Sequence, residues 1–235
     1  MPCGRPLIVE GNPRVARTIA RADWIAGAPL DLAPHEKAAL AWQEDGAREH
    51  ASVASFAQLA LELLSLGAPP ELVARAHQAA LDEIEHAKTC FAIAAALGEA
   101  RVGPAPLPLA GLAFKDLASL AAEVAAQSCV GETVAGLALA RASELCDPSL
   151  APVLARMAEE ELAHAALGFR IVAWACALDR GVPAAVMEAL AVGDYRVSGV
   201  ADNDVWNRAG RLGPGDMIDV IAAARVVIAS VRDAM

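Results

Sequence analysis

The sequence predicts an all-α protein, a four-helix bundle with one long crossover. Three observations carry that expectation. The 235 residues are 56% hydrophobic but only 4% aromatic, so the core is built from Ala, Leu, Val and Ile. Alanine and leucine favour helix, and long stretches rich in them end at glycine or proline. The connection between the second and third of these stretches is far longer than a simple turn.

The elements follow in order. Residues 1–30 carry Gly4, Pro6, Gly11, Pro13, Gly27 and Pro29 and read as an N-terminal arm of extended or short elements on the outside. A first helix starts near Asp31 to Pro34 and runs to Leu66, with Gly67 as its stop. Pro69-Pro70 opens a second helix that Gly98 ends. Residues 99–113 hold Gly103, Pro104, Pro106, Pro108 and Gly111 and form a linker. A third helix runs from about Phe114 to Cys146. Asp147-Pro148 then reads as an N-cap with proline at N1, opening a fourth helix to about Asp179. A shorter helix is expected from Pro183. Gly193 to Gly215 reads as irregular, and an amphipathic helix covers Asp216 to Val231. The bundle is therefore expected over 31–180, with accessory helices over 181–235. The second helix is roughly 40 Å long at 1.5 Å per residue. An extended linker of residues 99–113 reaches roughly 50 Å, enough to return along the bundle and set the second and third helices parallel.

Composition excludes some function classes. The formal net charge is −10 and the pI about 4.9, a surface that repels phosphate backbones, so no nucleic-acid partner is expected. Mean hydropathy is high at +0.40. Charges nevertheless interrupt the apolar runs before the ~18 residues of a membrane span, so a soluble bundle is expected. Met1-Pro2-Cys3-Gly4-Arg5 leads into no long apolar segment, which argues against a secretory leader. Cys3, Cys90, Cys129, Cys146 and Cys176 form no C-x-x-C pair and are odd in number. Reduced thiols in a cytoplasm fit them better than a disulfide framework.

The chemistry lies in two Glu-x-x-His motifs, Glu83-Ile84-Glu85-His86 and Glu161-Leu162-Ala163-His164. Residues at i and i+3 share a helix face, so each pair can grip one metal region. The other two long helices each offer an inward glutamate. Glu49 has Trp42, Phe56 and Leu63 at its heptad phase, whereas its rival Glu44 has Lys37, Ala51 and Gln58. Glu132 has Ala118, Ala125 and Leu139 in phase, with Glu123 as its rival. Six ionisable groups would then point into one apolar interior. Unpaired buried carboxylates are strongly unfavourable, and two divalent cations would neutralise four of them. The chain also repeats: each half is a helical hairpin with one glutamate and one Glu-x-x-His, so two facing hairpins give a pseudo-twofold site.

This set, over residues 34–180, resembles the ferritin-like di-iron carboxylate superfamily, which includes ferritins, bacterioferritins, rubrerythrins, ribonucleotide reductase small subunits and di-iron oxidases and oxygenases. The resemblance implies a ferritin-like bundle holding two iron ions, with manganese as the other metal these ligands suit. It implies Glu49 and Glu132 as terminal ligands, Glu83 and Glu161 as bridging ligands, and His86 and His164 as nitrogen ligands. It further implies that Asp82 bonds His164 and that Glu160 bonds His86, because metal-bound histidines donate their free N–H to a carboxylate. The activity it implies is O2 or peroxide activation to oxidise or oxygenate a small-molecule substrate, with an electron donor as partner. A ferroxidase or iron-handling relative and a manganese catalase share the same ligands. A monomer or homodimer is expected. Gly193 to Gly215 is expected as a lid holding Trp206 near the site. His35, His50 and His77 read as exposed, and Cys90 and Cys129 as small buried hydrophobes. Tyr195 lies outside the bundle core, and Asp202-Asn203-Asp204 is too incomplete for a calcium loop.

Overall fold

The computed structural model describes residues 5–25, 30–98, 100–190 and 204–232, and it is mostly helical. Two strands, β1 (Ile8–Val9) and β2 (Asn12–Pro13), form a small hairpin, turned through Glu10 and Gly11 at positive φ. A third, β3 (Thr18–Ala20), pairs antiparallel with β4 (Val102–Pro104). The long helices are α1 (Glu36–Ser65), α2 (Pro70–Gly98) and α5 (Ala151–Leu178). A fourth long segment is composite: α3 (Leu117–Val124), a π-helical stretch (Ala125–Glu132) and α4 (Thr133–Leu145). Shorter helices follow: α6 (Val182–Ala189), α7 (Asp204–Arg208) and α8 (Pro214–Arg232).

Two hydrophobic clusters define the packing and the direction of each helix. The first joins Ala38 and Trp42 of α1, Ile93 and Leu97 of α2, Ala138 and Ala142 of α4, and Leu154 and Met157 of α5. The second joins Leu59 and Leu63 of α1, Leu72 and Ala76 of α2, Leu120 and Val124 of α3, and Ile171 and Ala175 of α5. Low-numbered α1 residues thus meet high-numbered α2 residues, so these two helices are antiparallel. The composite helix and α5 are antiparallel as well. The composite helix runs parallel to α2, so the connection after α2 returns along the length of the bundle, as its length predicted.

Local chemistry sets the boundaries. The helix α1 ends at Gly67, whose φ of 71° supplies the left-handed turn. His35 caps its start, with Nδ1 accepting from Ala38 N at 3.3 Å. Asp116 caps α3 by accepting from Ser119 N at 2.8 Å, so this helix begins three residues later than Phe114. The Asp147-Pro148 expectation also shifts. Asp147 accepts from Ser149 N at 3.0 Å within a turn, and α5 begins only at Ala151.

Three further expectations are corrected. The arm is not wholly external, because Arg5, Leu7, Val9 and Ala16 are buried. By length and composition α5 is apolar enough to cross a membrane, with mean hydropathy 1.3 over its best window, although it carries Glu161 and His164 and packs as a core helix. Trp206 is buried in the first cluster, donating Nε1–H to Leu212 O at 3.1 Å and standing 5.5 Å from the His35 ring. It anchors the bundle end next to Trp42 instead of capping the glutamate cluster. Tyr195 and Asp202-Asn203, with residues 193–203 of the expected lid, lie outside the described residues.

Candidate metal centre

The six predicted residues occupy the band between the two hydrophobic clusters. On α1, Glu49 falls between Trp42 and Phe56. On α2, Glu83 and His86 fall between Ala79 and Cys90. Glu132 falls between Val130 and Val134, and Glu161 and His164 of α5 fall between Ala158 and Leu167. All six side chains are buried. The rivals are elsewhere: Glu44 is exposed and pairs with Arg48, and Glu123 pairs with Arg5 and Lys115.

Their ligand atoms form two overlapping groups. Glu49, Glu83, His86 and Glu161 converge within 4.8 Å of one another, and so do Glu83, Glu132, Glu161 and His164. Glu83 and Glu161 belong to both. Each histidine is oriented from outside the cluster by the acid that precedes the opposite motif. His86 Nε2 lies 2.9 Å from Glu160 Oε2, and His164 Nε2 lies 3.2 Å from Asp82 Oδ2. The Nδ1 atoms therefore face inward. His86 Nδ1 is 3.7 Å from Glu83 and 3.5 Å from Glu161. His164 Nδ1 is 3.4 Å from Glu83 and 3.5 Å from Glu161. The two rings stand 5.9 Å apart.

Electrostatics mark this cluster as costly by itself. Burial, then repulsion from Glu83 and Glu161, pushes the Glu49 carboxyl well above its ordinary value. Burial and Glu161 do the same to Glu132. Burial alone would lower His86 and His164. Hydrogen bonding to Glu160 and Asp82 respectively, with the close Glu161 and Glu83 carboxylates, raises both well above the usual imidazole value. Burial alone would raise Glu161, but His164 and His86 outweigh it and hold this carboxyl well below its ordinary value.

Whether these residues fit a metal pair is decided by their orphaned atoms. Glu83 Oε2, Glu161 Oε2, both Glu132 carboxylate oxygens and both histidine Nδ1 atoms are buried without a hydrogen-bond partner. Such atoms are normally paired, and here they converge from four helices as oxygen and nitrogen donors. The set could hold a metal ion. The neighbouring thiols do not join it. Neither Cys90 nor Cys129 belongs to either ligand group, and burial raises both thiols, Cys129 to about 12. His77 is exposed, whereas His35 and His50 are half-buried, His50 standing edge-on to Trp24 at 4.9 Å. None of the three belongs to either ligand group.

Several features near the centre are invisible to sequence periodicity. The π segment ends at Glu132 itself, and wide π turns recur at functional sites. Glu62 is fully buried, accepting from Gln58 Nε2 at 3.0 Å and Lys115 Nζ at 3.2 Å. Its place in an apolar stripe with Leu59 and Leu66 was the one available signal. Arg5 donates to Ser128 Oγ at 3.1 Å and Glu123 Oε1 at 3.2 Å. Nothing in an irregular arm marks such a residue. No family model, curated protein or solved structure matches the chain.

Proposed function

We propose that the chain is a ferritin-like di-iron carboxylate protein that activates O2 or peroxide to oxidise or oxygenate a small molecule. The observation that supports this most is the pair of four-residue ligand groups sharing Glu83 and Glu161. Sharing suits two bridged ions, and four carboxylates match the charge of two divalent cations. In this reading Glu49 and His86 complete one metal position, and Glu132 and His164 complete the other. Asp82 and Glu160 accept the Nε2–H of the two histidines, fixing the tautomer that presents Nδ1 inward. Phe56 packs 5.1 Å from the His164 ring and, with the apolar clusters above and below, excludes bulk water. Iron bound there would supply the redox equivalents and the open coordination positions for O2 that this chemistry needs. The same reading takes the protein as a cytoplasmic monomer or homodimer served by an electron donor.

The test is anaerobic loading with Fe²⁺ followed by exposure to O2, with the assembly sized by ultracentrifugation. A small assembly that oxidises about two Fe²⁺ per chain and stops is expected, because the bundle offers one dinuclear ligand set. Continued uptake into a large shell would establish iron storage instead. Manganese retained in preference to iron, with peroxide disproportionation, would establish a catalase.

A further inference from the structure

We propose that Arg5 is a positioning residue for the Glu132 side of the metal centre, so that the N-terminal strap sets the affinity of one metal position and not the other. This rests on the metal-centre reading above. Arg5 is 1% exposed. One arm of its guanidinium donates to Ser128 Oγ, inside the π segment, and the other to Glu123, just before it. Ser128 is one turn ahead of Glu132. The guanidinium also lies 5.6 Å over the Phe56 ring, which in turn packs against His164. Arg5 thus touches the supports of Glu132 and of His164, the two residues that distinguish one metal position from the other.

The need for such a brace follows from the backbone. No donor side chain holds either Glu132 carboxylate oxygen, and the side chain that acts on them most closely is Glu161, itself a candidate ligand. The place of the Glu132 carboxylate is set by the helix from which it hangs, and that helix is π-helical up to Glu132. Turns of π-helix are rare and occur mostly as single-turn interruptions of α-helices, often at functional sites, and here Arg5 contacts the segment from outside. Glu49, by contrast, stands within the continuous α-helix α1. The strap also reaches α1, through Ser52 Oγ donating to the Arg5 carbonyl at 2.8 Å, which a side-chain substitution leaves in place, and through the Phe56 ring, which faces His164 and stands two turns from Glu49.

The experiment is a Co²⁺ titration of metal-free full-length protein, read in the cobalt absorption bands, with fold monitored by circular dichroism. Wild type takes up two ions. In Arg5→Met, one position is expected to weaken by about tenfold or more while the other stays within about twofold, the size seen when an outer-shell support is lost. Arg5→Lys should recover part of the loss. Adding Glu132→Ala to Arg5→Met should abolish the weakened position and leave the tight one, whereas adding Glu49→Ala should remove the tight position instead. Equal weakening of both positions, no change in either, or tighter binding at the Glu132 side would overturn the proposal. The last result would show that the buried positive charge only repels the metal. Should Arg5→Met fail to fold, Ser128→Ala removes one acceptor alone; a smaller loss confined to the same position is expected, and unchanged affinities overturn the proposal. Wild type that takes up no pair of cobalt ions overturns the metal-centre reading and this proposal together. A normal pair in wild type with no selective loss in the variants overturns this proposal alone.

Discussion

Asp82 and Glu160 each hold the outward ring nitrogen of a histidine, so that in the metal-bound reading Nδ1 would be left as the ligand. Each accepts from Nε2 across the bundle, His164 with Asp82 and His86 with Glu160. Asp82→Ala and Glu160→Ala are each expected to weaken metal binding by about 10–100-fold, with the larger effect at the position of the histidine concerned. Metal titration with position-resolved spectra checks this, and affinities that do not move would contradict the tautomer argument. At this scale the sequence was informative wherever a polar residue interrupted a regular apolar phase. Glu49 among Trp42, Phe56 and Leu63 is such a case. It was silent on Arg5 and Arg211, whose burial depends on partners far away in the chain. Arg211 shows the physics. It pairs with buried Asp45 and lies 5.0 Å over Trp42. Arg211→Ala should cost about 1.5–3 kcal/mol, because it removes one of the charged partners of the buried Asp45 carboxylate and leaves its pair with Arg48 at 2.8 Å. Urea denaturation measures that directly, and a loss well under 1 kcal/mol would mean that Asp45 is rehydrated.

Among the elements, α5 and the composite helix approach each other most closely at two glycines. A Cβ at Gly168 would meet Ser128 Cβ at 2.6 Å and Cys129 N at 3.1 Å, both in the π segment. A Cβ at Gly136 would meet Leu162 at 2.8 Å and the Ala158 carbonyl at 3.2 Å. Neither neighbour at Gly168 is the free end of a flexible chain, so the backbones must separate. Gly168→Ala is therefore expected to destabilise by about 1–3 kcal/mol through overpacking and to disturb the Glu132 position more than the Glu49 position. Calorimetry and metal titration test the two halves of that statement; an unchanged melting temperature would contradict it. Element existence and order were legible because helix period and Gly/Pro punctuation are local signals. The π segment was not. Its extra residue per turn leaves Ala125, Glu132 and Leu139 in what reads as an ordinary heptad. The late start of α5 was missed because Asp147 caps a turn, which uses the same residue chemistry as a helix cap.

Over the whole molecule, the central band is a store of electrostatic repulsion that bound cations would relieve. The signs are fixed by the shifts. Glu49 and Glu132 are raised above 4.5, and His86 and His164 above 6.5. Groups raised in the folded state bind more protons there than in the unfolded chain. Their stabilisation is complete below the unfolded values and is lost as pH rises through the folded ones. Glu161 acts oppositely, being lowered, and costs stability only as pH falls below about 4.5. Metal-free protein should thus melt at progressively lower temperature from pH 5 to pH 8 while staying helical. Bound metal should raise the melting temperature most at the alkaline end, where the unprotonated ligands bind best. A metal-free melting temperature flat across that range would contradict a buried, repelling cluster.

The central claim is that two cations sit between these four helices, bridged by Glu83 and Glu161, and anomalous diffraction from Mn²⁺-loaded crystals tests it most directly. The account predicts two anomalous peaks in the band between the hydrophobic clusters, one beside Glu49 and His86 and one beside Glu132 and His164. Both should contact Glu83 and Glu161, and both should vanish in the Glu83→Ala, Glu161→Ala double variant. A single peak, a pair that persists in the double variant, or no density at the six residues would contradict it.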